Sequence, residues 1–273
     1  MKKLIAILLV LCMAVAMTAC GKTIKKETKT ETIKPETEPS IELPIEDATE
    51  PPVETVEVMT HAEYMAAEEF APVCIEAYVQ ATQSWWDDKI TVYAQDEDGA
   101  YFIYNLTCTE EQATELVPGA KIKVTGYKAY FAGLGEIAAG ATFEFVDGEE
   151  FMAEALDVTE LMGTEELAAH QGEKVSFKGV TIVAKTGADG EEAAYLYGWD
   201  GSGEPGSDSD LYFDGQIGDK TYTFVIEYYL CDSNSAAYQA VQNLKVGDVV
   251  DMEGFLYWYE GPNAHITSVS VVG

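Results

Sequence analysis

Arginine is absent from this chain: all 16 basic residues are lysine, against 48 Asp plus Glu, for a formal net charge of −32. So acidic a chain repels phosphate, and it lacks the guanidinium fork that pairs with phosphates and guanines. The expectation is no nucleic acid among its partners. Histidine is scarce as well; His61, His170 and His265 stand alone in the sequence. There is no GxSxG, HExxH, phosphate-loop or dinucleotide glycine pattern, and no Cys–His pair at a catalytic spacing. Paired carboxylates are too common here to single out any pair. An enzyme is therefore not expected. The five cysteines form no CxxC and no metal-like spacing. The longest apolar run is short of the roughly 20 residues that cross a bilayer. What remains is a chain of 273 residues, 47% apolar and 11% aromatic, long enough for one to three cored domains.

The N-terminus carries an address. Met1-Lys2-Lys3 precedes 14 unbroken apolar residues from Leu4 to Met17. A basic start followed by such a run has the form of an export signal. The run ends in Met17-Thr18-Ala19-Cys20-Gly21, which resembles the lipobox of bacterial lipoproteins; Met17 departs from the usual Leu, whereas Thr18, Ala19 and Gly21 fit. The resemblance implies a signal peptide over residues 1–19 and a covalent diacylglycerol on Cys20. It places the chain at the cell membrane, lipid-anchored and facing the extracytoplasmic side. An ordinary secretory signal with an incidental cysteine is the bland alternative. Cys12 then leaves with the signal, and Cys74, Cys108 and Cys231 remain. Buried free thiols are expected, with a Cys74–Cys108 bridge as the alternative.

Residues 20–58 read as a disordered tether. Five of the nine prolines fall here among Thr, Glu and Lys, without one aromatic. Such a stretch cannot bury enough apolar surface to offset its ordering entropy. Lysines near Cys20 add a second, electrostatic signal for an anionic membrane surface.

From Met59 the chain repeats itself. Leu116-Val-Pro-Gly119 opens a stretch with glycines at 119, 126 and 133; Leu244-Lys-Val-Gly247 opens another, with glycines at 247, 254 and 261. At that offset of 128, Ile122, Val124, Tyr127, Tyr130 and Phe131 match Val250, Met252, Phe255, Trp258 and Tyr259. Upstream the offset is 102, matching Glu63, Ala66, Val73 and Ile75 to Glu165, Ala168, Val175 and Phe177. Two homologous domains follow, 59–148 and 149–273, the second with about 26 extra residues. In the first, strands are expected at 73–79, 90–95, 101–106, 121–127 and 136–146, with a turn at Asp96-Glu-Asp-Gly99. A short helix starts with a capping box, Thr109 and Gln112. In the second, strands are expected at 174–184, 193–198, 221–229, 249–255 and 265–272, with a helix at 235–244. The insertion is read at 199–219.

The order β-β-β-α-β-β, with Leu-x-x-Gly leading into the strand after the helix, resembles the OB-fold. The fold class is thus mainly β: two tandem five-stranded OB-fold-like barrels, each with a short helix. An SH3-like barrel or a β-sandwich is the competitor. OB barrels bind ligands on the strand 2–3 face, between the loops joining strands one to two and four to five.

That resemblance gives the aromatic pairs a place. Trp85-Trp86 falls in the first copy's strand 1–2 loop, and successive side chains on a strand alternate faces, so at least one ring is exposed or packed on a neighbour. Tyr130-Phe131 and Trp258-Tyr259 fall in the strand 4–5 loops. Such rings suit stacking on sugars or peptide side chains; filling the barrel mouths or an inter-domain seam is the structural alternative. Asp200, Glu204, Asp208 and Asp210 cluster in a Gly/Ser-rich loop and offer oxygens for Ca²⁺. No EF-hand pattern supports that, and a solvated acidic loop is the simpler account. No other cofactor is implied. The resulting expectation is a membrane-anchored binding module for a carbohydrate, peptide or protein. The alternative is a structural or assembly subunit of a cell-surface complex with no small ligand.

Overall fold

Period-two patterning sets the architecture. In Lys121-Ile-Lys-Val-Thr, Ile122 and Val124 are wholly buried while their neighbours reach solvent, as expected where one face of a strand covers a core. The computed structural model describes residues 56–273. The signal peptide of residues 1–19, the lipidation site at Cys20 and nearly all of the 20–58 tether lie outside the described residues.

The described residues open with helix α1 (His61–Ala66), capped by a reciprocal Thr60–Glu63 box. Strands β1 (Pro72–Thr82), β2 (Lys89–Gln95) and β3 (Ala100–Thr107) follow as a meander. The β2–β3 turn is held by the Asp96 carboxylate, which accepts from the amides of Asp98 and Gly99 at 2.8 and 2.9 Å. Helix α2 (Glu110–Glu115) carries the expected capping box, Thr109 with Gln112. Strands β4 (Lys121–Phe131) and β5 (Leu134–Ile137) complete the barrel. The order β1-β2-β3-β5-β4 closes because β4 also pairs antiparallel with β1, and β3 pairs parallel with β5. The expected last strand, 136–146, divides in two. After β5 the strand is interrupted around Gly140 and resumes in the same direction as β6 (Thr142–Phe145), which pairs antiparallel with the first half of β4 on the edge opposite β1.

After the short β7 (Leu156–Asp157), the second barrel repeats this plan. It uses β8 (Lys174–Val183), β12 (Leu211–Ile217), β13 (Lys220–Ile226), α3 (Ala236–Gln242), β14 (Val249–Phe255) and β15 (His265–Val271). Closure is again β8–β14 antiparallel and β13–β15 parallel. Both barrels are OB-fold-like. One expectation is corrected here. The second barrel strand is Leu211–Ile217, not 193–198. Between β8 and β12 runs an excursion holding only the two-residue strands β9 (Lys185–Thr186), β10 (Glu192–Ala193) and β11 (Leu196–Tyr197). Asp214, Gly215 and Gln216 dilute the apolar signal of β12, although Leu211 and Phe213 are fully buried. The apolar run around Tyr195 supplies only the two-residue β11, an edge strand paired with β12.

The repeated glycines have a steric cause. A side chain on Gly126 would strike Ile137 of β5 at 2.7 Å, and one on Gly254 would strike the His265 carbonyl of β15. In each barrel the fourth strand crosses the fifth there with no room for a Cβ. Cores are separate: Val73, Ile75, Ile103 and Ile122 centre the first, Phe177, Phe213, Phe224 and Val250 the second. A third cluster joins the barrels. Cys74, Cys108 and Cys231 are free and buried.

Candidate ligand cavity at the barrel seam

Strands β2 and β3 are apolar on both faces. Val92, Ala94, Tyr101 and Ile103 point into the first barrel, whereas Tyr93 and Phe102 point out of it yet are equally buried. Leu134 does the same from β5. Two-sided burial on an antiparallel barrel requires a second layer outside, and the β14–β15 region of the other barrel supplies it. Tyr93 stacks on Phe255 with centroids 4.6 Å apart, and Phe102 meets Tyr257 edge-on at 5.3 Å. Tyr257 in turn stacks on His265 at 4.2 Å. The Tyr93 hydroxyl and His265 Nδ1 are 2.6 Å apart. Burial pushes the His265 pKa down to about 3, so the imidazole is neutral near pH 7. Backbone bonds tie the rims: Ser84 N–H donates to the Tyr229 carbonyl at 2.7 Å, and Glu260 N–H to that of Ala132 at 2.7 Å.

Beside this contact the barrels leave a cavity of about 830 Å³, within the roughly 300–1,000 Å³ typical of small-ligand sites. The first barrel contributes Phe102, Tyr104, Phe131, Glu136 and, from the end of β1, Gln83. From the second come Tyr212 of β12 and Thr223 of β13, with Tyr257, Tyr259 and Asn263 from the β14–β15 loop. Lys185, Trp199 and Asp210 of the excursion, with Glu227 and His265, complete the wall. In the second barrel this is the strand 2–3 face and its two flanking loops.

Charge within the cavity is uneven. Glu136 sits on β5 between Gly135 and Ile137; alternation puts it on the outer face with Leu134, and only 8% of it is exposed. Its carboxylate has no hydrogen-bond partner among the described residues, and burial pushes its pKa up to about 7. Burial also raises Glu227 to about 7, against the opposing pull of the Tyr229 and Leu230 amides that its carboxylate accepts. Asp210 is raised by the same cause and accepts from the Tyr228 amide at 2.8 Å. The cavity's lysine, Lys185, is already held by Asp214 at 2.9 Å.

The expected site residues divide. Phe131 and Tyr259 do meet at the cavity, 5.9 Å apart. Tyr130 points to the opposite face of β4, 5.4 Å from Lys128 Nζ. Trp258 packs against the second core and the seam cluster. The structure does not bring Trp85 and Trp86 to the cavity. Their loop turns back on itself at Asp87 and Asp88, both at positive φ. Trp85 then packs on the first core and donates its indole N–H to the Cys108 carbonyl at 3.0 Å, while Trp86 lies exposed with Lys89 Nζ above its ring at 4.2 Å. Of the acidic loop, Asp210 lines the cavity. The Asp200 carboxylate accepts from the Ser202 amide instead, and Asp200, Glu204, Asp208 and Asp210 do not gather as a group of three able to hold a metal. Phe102, Glu136, Tyr212, Glu227 and His265 were not singled out from sequence. The two-sided apolar character of 90–95 and 100–106 is a signal that could have marked the seam and Phe102; nothing comparable in the sequence marks the other four.

No family model matches the chain, and no curated protein matches it. Solved structures similar to it include a murine DNA-binding protein bound with double-stranded DNA, at TM-score 0.35 and 10% identity, covering 73% of this chain and 96% of that one. The Ifi202 HINa domain in complex with 20bp dsDNA aligns at 0.33 and 11%, covering 75% and 96%. A replication protein A heterotrimer bound to ssDNA aligns at 0.29 and 9%, covering 76% and 49%. Scores and identities this low assign no ligand to this chain. They do correct one expectation. The exclusion of nucleic acid, drawn from composition alone, is withdrawn, because chains named for bound DNA are among those that align with these barrels.

Proposed function

We propose that the protein is a lipid-anchored, extracytoplasmic binding module, non-catalytic, that takes its ligand in the cavity between its two barrels. The observation that carries this reading is the convergence of aromatic rings from both barrels on one preformed cavity. That cavity adjoins the face and loops where the OB resemblance places a ligand. The anchor rests on the basic start, the 14-residue apolar run and the lipobox at Cys20. Among the described residues, no helix is long and apolar enough to cross a membrane. A carbohydrate or a peptide is the favoured ligand class, since flat rings beside hydrogen-bonding acids suit either.

The test probes the full chain against glycan and peptide arrays, with single-stranded oligonucleotides as a further arm. Tyr259→Ala and Tyr212→Ala serve as cavity variants. The expected result is one bound class whose affinity falls about ten- to hundredfold in both variants. Binding that survives both substitutions, or no binding to any class, overturns the reading. For the anchor, Cys20→Ser is expected to leave unprocessed or released protein. Membrane retention at wild-type mobility, with no acyl mass, refutes it.

A further inference from the structure

We infer that the ligand of the seam cavity carries an organic ammonium group, seated against Glu136 and the surrounding rings; this rests on the binding-module reading above. Glu136, nine-tenths buried as a residue, presents an unpartnered carboxylate to the open cavity. Without a partner a desolvated carboxylate is driven toward its neutral form, and a bound cation would supply the opposite charge that restores it. Among the described residues nothing does. Lys185 already belongs to Asp214. Lys128 lies one strand away, but Lys128 pairs with Ile137 and Ala129 with Glu136, so the two side chains leave the sheet on opposite faces. His265 is neutral and engaged with Tyr93.

Glu227 and Asp210 add carboxylates from the second barrel. Their backbone bonds hold them in place and leave both still facing the cavity. The same cavity is lined by Tyr104, Phe131, Trp199, Tyr212, Tyr257 and Tyr259, of which Tyr212 and Tyr257 are the more buried. Aromatic faces attract an ammonium through the ring quadrupole, most strongly where water is excluded. Carboxylates within the same cavity add charge-assisted hydrogen bonds. A carboxylate or phosphate ligand would meet three acids and one lysine already committed elsewhere. A neutral sugar would leave Glu136 without a counter-charge. The excess of acids over lysines also raises the local concentration of cations near the surface.

Two sources share this chemistry: a free amine and a lysine side chain in a peptide. Calorimetry on the full chain compares cadaverine, pentanediol and glutarate, which share one carbon length with positive, neutral and negative ends. A lysine-containing tripeptide amide is the fourth arm, and choline against its uncharged carbon isostere the fifth. The inference expects each cation to bind about ten- to hundredfold more tightly than its neutral counterpart, and glutarate to bind worst. Glu136→Gln should remove that preference while leaving the melting temperature unchanged or higher, because a desolvated carboxylate is replaced by a neutral isostere. Tyr259→Ala should weaken every arm. A tripeptide that outbinds cadaverine assigns the source to a peptide side chain, and the reverse order to a free amine. Equal binding of pentanediol or glutarate, a preference that survives Glu136→Gln, or no binding of any cation overturns the inference. If that failure comes with an array ligand lost on Tyr259→Ala, the binding-module reading stands without it.

Discussion

At the scale of single residues, burial decides the energetics of two polar sites. Tyr93 and His265, both buried, satisfy each other across the seam at 2.6 Å. Tyr93→Phe would leave the imidazole nitrogen without a partner, a loss of about 1–3 kcal/mol that thermal or denaturant unfolding measures. Lys128 is a different case. It is wholly buried, its Nζ lies 3.5 Å from the centroid of the Tyr64 ring, and neither it nor the Tyr64 hydroxyl has a hydrogen-bond partner among the described residues. Burial pushes its pKa down to about 8 from 10.5. Between those values the unfolded chain holds more protons than the folded one, so folding grows more favourable as pH rises through the window. Lys128→Met removes the desolvated amine. It should therefore raise the melting temperature near neutrality, with the advantage over wild type shrinking toward about pH 10. An equal advantage at both pH values would show that the ammonium is not penalised.

Elements show where patterning informs and where it misleads. Strands β1, β4, β8 and β14 were legible because one face of each is core, and Ile122, Val124, Val250 and Met252 are buried as their alternation requires. The α2 cap was legible from Thr109 and Gln112 alone. Strand β12 was not, since polar residues and Gly215 interrupt it, and a side chain at Gly215 would strike Val180 and Phe224. The cavity was half legible. Phe131 and Tyr259 follow from the duplicated loop, but Glu136 looks like any other acid until its strand is known to face a second barrel. Trp85-Trp86 misled because a loop's direction depends on the positive φ at Asp87 and Asp88, which composition does not reveal. The excursion between β8 and β12 supplies Lys185, Trp199 and Asp210 to the cavity. It adds little to the second core, where only Ala194, Tyr195 and Tyr197 touch the edge. Replacing residues 187–206 by a short Gly/Ser turn is thus expected to weaken ligand binding far more than stability. Paired calorimetry and thermal melts would show this, and a collapse in melting temperature would make the excursion a structural element instead.

For the whole molecule, pH sets two opposing trends. Glu136 and Glu227 are raised from 4.5 to about 7, so the folded chain holds more protons across that window and its stability falls as pH rises through it. His265 is lowered from 6.5 to about 3. There the unfolded chain holds more protons, and stability falls as pH drops through the window. The trends oppose each other where the windows overlap, and only the carboxylates act just above it. The double variant Glu136→Gln/Glu227→Gln should accordingly gain melting temperature over wild type as pH rises from about 5 to about 8. A gain that does not change with pH would place both carboxylates in water.

The seam also fixes an order of events. Tyr93, Phe102 and Leu134 find their cover in Phe255, Tyr257 and Trp258, more than a hundred residues further along the chain. A chain that emerges N-terminus first, from the ribosome or across a membrane, completes the first barrel with an apolar outer face still bare. At roughly 5–20 residues per second that face waits several seconds or more for its lid. The first barrel is in that interval an adhesive intermediate, a natural client for a holdase. A chain truncated after residue 148 would arrest it there, binding a hydrophobic dye and self-associating where the full chain does neither.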